Sequence, residues 1–247
     1  MQNLRGALRQ AVDKGDAEKV KDLLLLPKCN PMFKDSRGIT ALILSAFKGH
    51  DLCTQILLPV SDVNAKDQNG MTALSWAACT GRARCVQLLI PASNALAKSA
   101  SGITALMEAV TIGSTDCVQL LLPVSDALAQ NCAGETALMW AAARGHTHCI
   151  QLLLTPSDPL AQDGKGKTAL MHAAEQGGPG CVSLLLPVSD YLAKDNTGQS
   201  AAARARSNGS DLAAELIEHY AQAQTEKSDL DGAAGQAPTR KKQSRRV

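Results

Sequence analysis

Eight cysteines and five histidines are the side chains of this sequence with the most obvious chemistry. Thiolates and imidazoles ligate zinc, and paired thiols oxidise to disulfides. Five of the cysteines, Cys53, Cys85, Cys117, Cys149 and Cys181, recur at intervals of 32 residues. They therefore occupy one equivalent position in successive copies of a unit. Packed helices lie about 8–10 Å apart, whereas a disulfide needs Cα atoms within roughly 7 Å. The expectation is a ladder of small buried apolar residues in a reducing compartment. Cys79 and Cys85 flank Gly81, Cys29 and Cys132 fall in links, and no C-x-x-C spacing occurs, so no metal site is expected. His146, His148 and Cys149 form a tempting cluster, but i, i+2 spacing on a helix sends the two rings to different faces. The stretch AlaGlnAspGlyLysGlyLysThr at 161–168 matches a relaxed phosphate-loop pattern with Ala for its first Gly. A phosphate loop needs a buried strand before it and a long helix after it, and these residues instead fall in register with 65–72. AsnGlySer at 208–210 is a sequon without a route to glycosylation. No Ser/His/Asp, Cys/His or paired-carboxylate set stands outside that register. Neither catalysis nor a cofactor is expected.

The register itself is an internal repeat, the signature of a solenoid. Glycines recur at Gly38, Gly70, Gly102, Gly134, Gly166 and Gly198, and again at Gly49, Gly81, Gly113, Gly145, Gly177 and Gly209. Together they account for twelve of the 19 glycines. ThrAlaLeu stands at 40–42, 72–74, 104–106, 136–138 and 168–170, with SerAlaAla at 200–202. Each Thr can cap a helix start, and apolar residues at i, i+3 and i+4, such as Leu138, Ala141 and Ala142, give the helix one buried stripe. The second glycine falls where a left-handed residue ends a helix. A second helix follows, for example with Cys149, Ile150, Leu152 and Leu153. Pro59, Pro91, Pro123, Pro156 and Pro187 stop it. A SerAsp-x-x-Ala-x-Asp link with an Asn/Asp/Gly tip then makes a turn.

Two short helices and a turn cannot bury both faces alone, so the units must stack. Composition agrees: six aromatics in 247 residues cannot anchor a large three-dimensional core, and Leu, Ala, Val and Met must build thin layers. No apolar run approaches the roughly 18 residues of a bilayer-spanning helix, and the first residues lack the apolar stretch of a secretory signal. A soluble chain in the cytoplasm is expected, with nuclear entry or delivery into another cell as further destinations. The net charge of +2 is uneven. Residues 221–247 carry six Lys/Arg against three acids, leaving 19 bases against 20 acids in residues 1–220. A near-neutral body lacks the basic face of a nucleic-acid binder.

AspGlnAsnGlyMetThrAlaLeuSerTrpAlaAla (67–78) and SerAspValAsnAlaLysAsp (61–67) resemble the ankyrin repeat, and the likeness extends over about residues 1–220. The resemblance implies an all-α ankyrin-repeat solenoid of about seven stacked helix-turn-helix units with short hairpin-like turns. Residues 1–34 would be an N-terminal capping repeat, 35–194 five 32-residue repeats, 195–220 a C-terminal capping repeat and 221–247 a disordered basic tail. The sequence departs from the family pattern at three places. Ala41, Ala73, Ala105, Ala137 and Ala169 replace its Pro. Ile43, Ser75, Met107, Met139 and Met171 replace its next His, which removes the hydrogen bonds between repeats made from that position. Pro replaces the Gly after helix two with a one-residue deletion.

The resemblance also implies a protein partner on a concave surface made by the first helices and the hairpin tips. Two residues after each core Leu, a side chain points about 200° away from it, which gives the ladder Leu44, Trp76, Glu108, Trp140 and His172. Lys48, Thr80, Ile112, Arg144 and Gln176 lie one turn on. Both tryptophans fall on this stripe, and Trp and Arg are favoured interface anchors. They serve either as such anchors or as covers for the neighbouring hairpin, stacking on Thr80 or Arg144. The variable turn residues Gln68, Asn69, Met71, Ala100, Ser101, Ile103, Cys132, Ala133, Glu135, Gly164, Lys165 and Lys167 would form the rim. No small-molecule substrate is expected, and the protein is expected to be a monomer. Arg240, Lys241, Lys242, Arg245 and Arg246 crowd the end of the tail. That run reads as a solubilising end, or as an import, export, nucleic-acid or acidic-membrane signal.

Overall fold

The structure is a computed structural model and describes residues 2–176 and 178–234. Fourteen helices form seven consecutive pairs: α1 (Gln2–Lys14) with α2 (Ala17–Leu24), α3 (Ala41–Lys48) with α4 (Asp51–Leu57), α5 (Ala73–Cys79) with α6 (Ala83–Leu89), α7 (Ala105–Thr111) with α8 (Thr115–Leu121), α9 (Ala137–Ala143) with α10 (Thr147–Leu153), α11 (Ala169–Gln176) with α12 (Pro179–Leu185), and α13 (Ala201–Ser207) with α14 (Asp211–Ala234). First helices contact first helices along the array and second helices contact second helices, giving two layers. Among the described residues the only bridge of β type joins Lys98 and Thr104, and no helix is long and apolar enough to cross a membrane.

Local chemistry sets each boundary. Thr40, Thr72, Thr104, Thr136 and Thr168 accept a hydrogen bond from the backbone N–H three residues on, at 3.2–3.4 Å, and Ser200 does the same for α13. A capping hydroxyl of this kind contributes about 1 kcal/mol. Three-residue 3₁₀ turns over Leu58–Val60, Ile90–Ala92, Leu122–Val124 and Leu186–Val188 carry the prolines that end the second helices.

The core lies between the layers as a continuous column of Leu, Ala, Val, Met and Cys. Leu42, Leu74, Leu106, Leu138 and Leu170 are fully buried, and so are the five cysteines of the 32-residue ladder. Burial pushes the Cys85 thiol up to about 12 and raises Cys53, Cys117, Cys149 and Cys181 in the same direction, so these sulfurs stay protonated and unreactive. Met107, Met139 and Met171 are buried where the family places its His. The bonds between repeats come from elsewhere. Lys34, Lys66 and Lys98 each donate through Nζ to the carbonyl of Lys66, Lys98 and Gln130, one repeat on, at 2.8–2.9 Å. His50 and His146 reach the carbonyls of Asp13 and Thr111 at 3.3 Å.

One expectation changes. Residues 221–247 do not begin as a disordered tail, because α14 continues as helix to Ala234; Arg240, Lys241, Lys242, Arg245 and Arg246 lie outside the described residues. His146, His148 and Cys149 point apart, as their spacing implies: His146 turns to the preceding repeat, His148 is exposed and Cys149 is buried.

Candidate partner-binding face

The hairpin before each first helix is organised by one side chain. Asp67 Oδ1 accepts the N–H groups of Asn69 and Met71, both at 2.9 Å. Asp163 Oδ1 does this for Lys165 and Lys167, Asp195 Oδ1 for Thr197 and Gln199, and Asp35 Oδ1 for Arg37 and Ile39. The second carboxylate oxygen is left facing the outer side of the first helix. The stripe residue nine positions on meets it there: Trp76 Nε1 donates to Asp67 at 2.9 Å, His172 Nε2 lies 3.0 Å from Asp163, and the Arg204 Nε donates to Asp195. Arg204 thus continues the stripe into the last pair.

The two repeats without this aspartate show the rule by exception. Asn131 Oδ1 shapes its hairpin but offers no second oxygen, and Glu135 supplies it by accepting from Trp140 Nε1 and Asn131 Nδ2, both at 2.8 Å. Ser99 has only a hydroxyl, which accepts from the N–H of Ile103 at 3.1 Å, and the stripe residue opposite it is the acid Glu108. Burial raises the Glu108 carboxyl above its ordinary value, offset in part by the Cys79 thiol and the Arg144 charge. Its presence raises Cys79 in turn, to about 11, after the larger effect of burial.

Both tryptophans pack against the array itself. Each indole N–H is spent inside its own repeat, and each ring packs on the core column while staying half-buried. Trp76 meets Phe47 edge-on at 5.2 Å, and the Arg144 guanidinium lies 5.5 Å from the Trp140 ring centre. Thr80 donates to the Trp76 carbonyl.

Of the other residues singled out, Gln68, Asn69, Arg144 and Lys165 are exposed, while Glu108, Ile103, Glu135, Lys167 and His172 are half-buried. Leu44 and Met71 are only 8% exposed, so the placing of both on the presented surface needs correcting. Met71 turns under its hairpin as a core residue. Leu44 forms the floor of a surface depression.

The sequence reading missed three features of this face. Phe47 is exposed one turn from the stripe, Arg9 of α1 takes the place of a stripe donor by pairing with Asp35, and Glu175 sits between Lys167 and Arg204. Two bonds from Lys167, at 2.7 and 2.9 Å, and one from Arg204 outweigh the effect of burial and hold Glu175 below the usual carboxylate range. The signal for Arg204 was present, since it follows His172 by 32 residues. Nothing marked Arg9, which belongs to the capping pair.

Glu135, Asp163 and His172 bring ligand atoms within 4.8 Å of one another, the one such trio among the described residues. Each is already engaged by the protein. Asp163 holds two backbone N–H groups and His172, and Glu135 holds Trp140 and Asn131. A metal would have to displace those hydrogen bonds. The phosphate-loop resemblance dissolves in the same geometry, because Asp163 closes an ordinary hairpin and Thr168 caps the short helix α11.

The family model for ankyrin repeats in three copies matches residues 8–99, 91–163 and 144–228. The chain is an ankyrin-repeat protein. Ankyrin repeats are generally protein-interaction modules, and the family is a non-catalytic scaffold family. The structure is similar to the crystal structure of the human ASB11 ankyrin repeat domain, at 24% identity and a TM-score of 0.75, over 85% of this chain and 96% of that one. No curated protein matches the chain in sequence.

Proposed function

We propose that this ankyrin array is a non-catalytic interaction protein that takes another protein on the concave face formed by the outer side of its first helices and its hairpin tips. One observation carries the reading. The core position is Leu at 42, 74, 106, 138 and 170, while two residues later the array presents Trp76, Glu108, Trp140 and His172, with buried Leu44 at one end and Arg204 continuing the stripe at the other. Packing constrains the first position to uniformity; the second varies while satisfying its own polar atoms internally. Ring faces and charges are left for a partner without a buried unpaired group. In this reading the chain acts as a monomer, and its compartment is reducing and cytoplasmic, which suits eight unpaired cysteines.

The test is crosslinked capture from the native host with the full chain beside Trp76→Leu/Trp140→Leu. Leucine keeps apolar cover over the hairpin. The expected outcome is loss of a specific protein partner from a variant that still melts cooperatively. Retention of every partner would sink the reading. A second reading rests on the five bases between 240 and 247, as a signal for localisation or a contact to nucleic acid or acidic membrane. Deleting 237–247 in the same experiment reveals it if location or partners change.

A further inference from the structure

We infer that the N-terminal end of this face is a docking groove for an acidic segment of a partner protein bearing a large apolar side chain. The inference rests on the reading of the chain as a protein-binding array and adds which end binds and what chemistry it selects. Two cavities of about 170 and 250 Å³ adjoin there and share Arg9, Ile39 and Leu44. Leu44 is their floor, and Phe33, Phe47 and Trp76 are among their walls, which brings half of the chain's six aromatics to one place. Phe33 is 40% and Phe47 38% exposed. A cluster of exposed apolar rings rimmed by charge marks an interaction site.

The opening follows from the hairpin rule. At this repeat the stripe residue is Leu44, which cannot donate to Asp35, so Arg9 crosses from α1 to do so and Leu44 is left beneath an uncovered depression. The rim selects the occupant. Arg5, Arg9, Arg37 and Lys48 line the two cavities against only Asp13 and Asp35. Both carboxylates are already neutralised, Asp13 by Lys48 at 3.0 Å and Asp35 by Arg9. Arg5 lies 4.3 Å over the Phe33 ring, and Arg37 reaches Asp35 only at 4.0 Å with 70% of its side chain exposed. These two guanidinium groups keep donors for an incoming anion. A wholly apolar segment would desolvate them without replacement, and a basic one, including residues 240–246 of this chain, meets like charge.

The test is selection of random displayed peptides on the full-length chain, followed by fluorescence anisotropy of the enriched sequences. The expected enrichment is Leu, Phe or Trp flanked by Asp or Glu. Affinity should fall about tenfold or more in Arg5→Glu/Arg37→Glu and recover when the peptide's acids are exchanged for Lys. Both side chains are at the surface, and a melting curve confirms the fold; Arg5→Gln/Arg37→Gln should weaken binding in the same direction if the reversal perturbs it. Enriched peptides without acids, binding indifferent to both variants, or no enrichment at all would overturn the inference. Acidic peptides lost only with Trp140→Leu/Arg144→Glu would overturn it too, while leaving the array's role in protein binding intact.

Discussion

At the scale of residues, a turn-forming carboxylate and the side chain nine positions on act as a matched set, and the chemistry of one constrains the other. Aspartate goes with an N–H donor at 67 and 76, 163 and 172, and 195 and 204, whereas Ser99 goes with the acid Glu108. Glu108 is the member with an energetic cost. Its folded-state pKa lies above the unfolded value of about 4.3, with burial as the largest cause, so the folded state binds the proton more tightly. Stability is lost as pH rises through that interval. Glu108→Gln should raise the melting temperature by about 1–3 °C at pH 7, with the gain vanishing below about pH 4. A constant gain across that range would remove the titration from the explanation. This pairing was not legible in the sequence, because period and helical angle place a side chain on a face without revealing which polar atom awaits it. The stripe itself could be counted from the core Leu. Leu44 was misplaced because the covering depends on α1, whose residues stand outside the register.

At the scale of elements, the fold was largely readable because each boundary depends on residues within one turn of it: a Thr cap, a left-handed Gly, a Pro stop. The two glycine ladders looked alike in sequence, yet a Cβ at Gly38, Gly70, Gly102 or Gly134 meets the next hairpin's backbone, whereas one at Gly49, Gly81 or Gly113 meets side chains. The contrast is sharpest at Gly134 and Gly145. Gly134 and Gly145 have positive φ values of 79° and 75°. A Cβ at Gly134 would stand 2.8 Å from the backbone N of Gly164 in the next hairpin, while one at Gly145 would meet nothing within 4 Å. The close approach exists because the hairpins are joined in series, with Gly164 N–H donating to the Ala133 carbonyl at 2.9 Å and matching bonds at each other step. Gly145→Asn should therefore cost only the left-handed conformation, about 1 kcal/mol or less for Asn. Gly134→Asn should add at least about 2 kcal/mol, because the clash pries two repeats apart. Urea denaturation of the two variants measures the difference, and equal losses would mean that hairpin stacking does not constrain the array. The helical start of residues 221–234 was missed for a related reason. Helix α14 carries no stop signal after Tyr220, and its Ala- and Gln-rich continuation has the propensity for helix without an apolar face to announce it.

At the scale of the whole molecule, the extensive helix contacts among the described residues run between neighbouring pairs, so stability is a sum of repeat and interface contributions. Any one repeat is then replaceable by its neighbour provided that the register survives. Removing residues 99–130 takes out one 32-residue period and joins Lys98 to Asn131. The Gly70 hairpin then stacks on the Asn131 hairpin as it did on Ser99, and the Leu74 layer meets the Leu138 layer. The shortened chain should unfold cooperatively with a urea m-value lower by about one seventh, in proportion to the surface buried. Removing residues 99–126 instead leaves four residues of the link behind, so that Asn131, Thr136 and Leu138 no longer align with Asp67, Thr72 and Leu74 of the preceding repeat. That chain should unfold in separate transitions or fail to fold. Equal behaviour of the two deletions would show that the array's stability does not depend on periodic stacking, and a loss of cooperativity in the 99–130 deletion would place an essential long-range contact in the removed repeat.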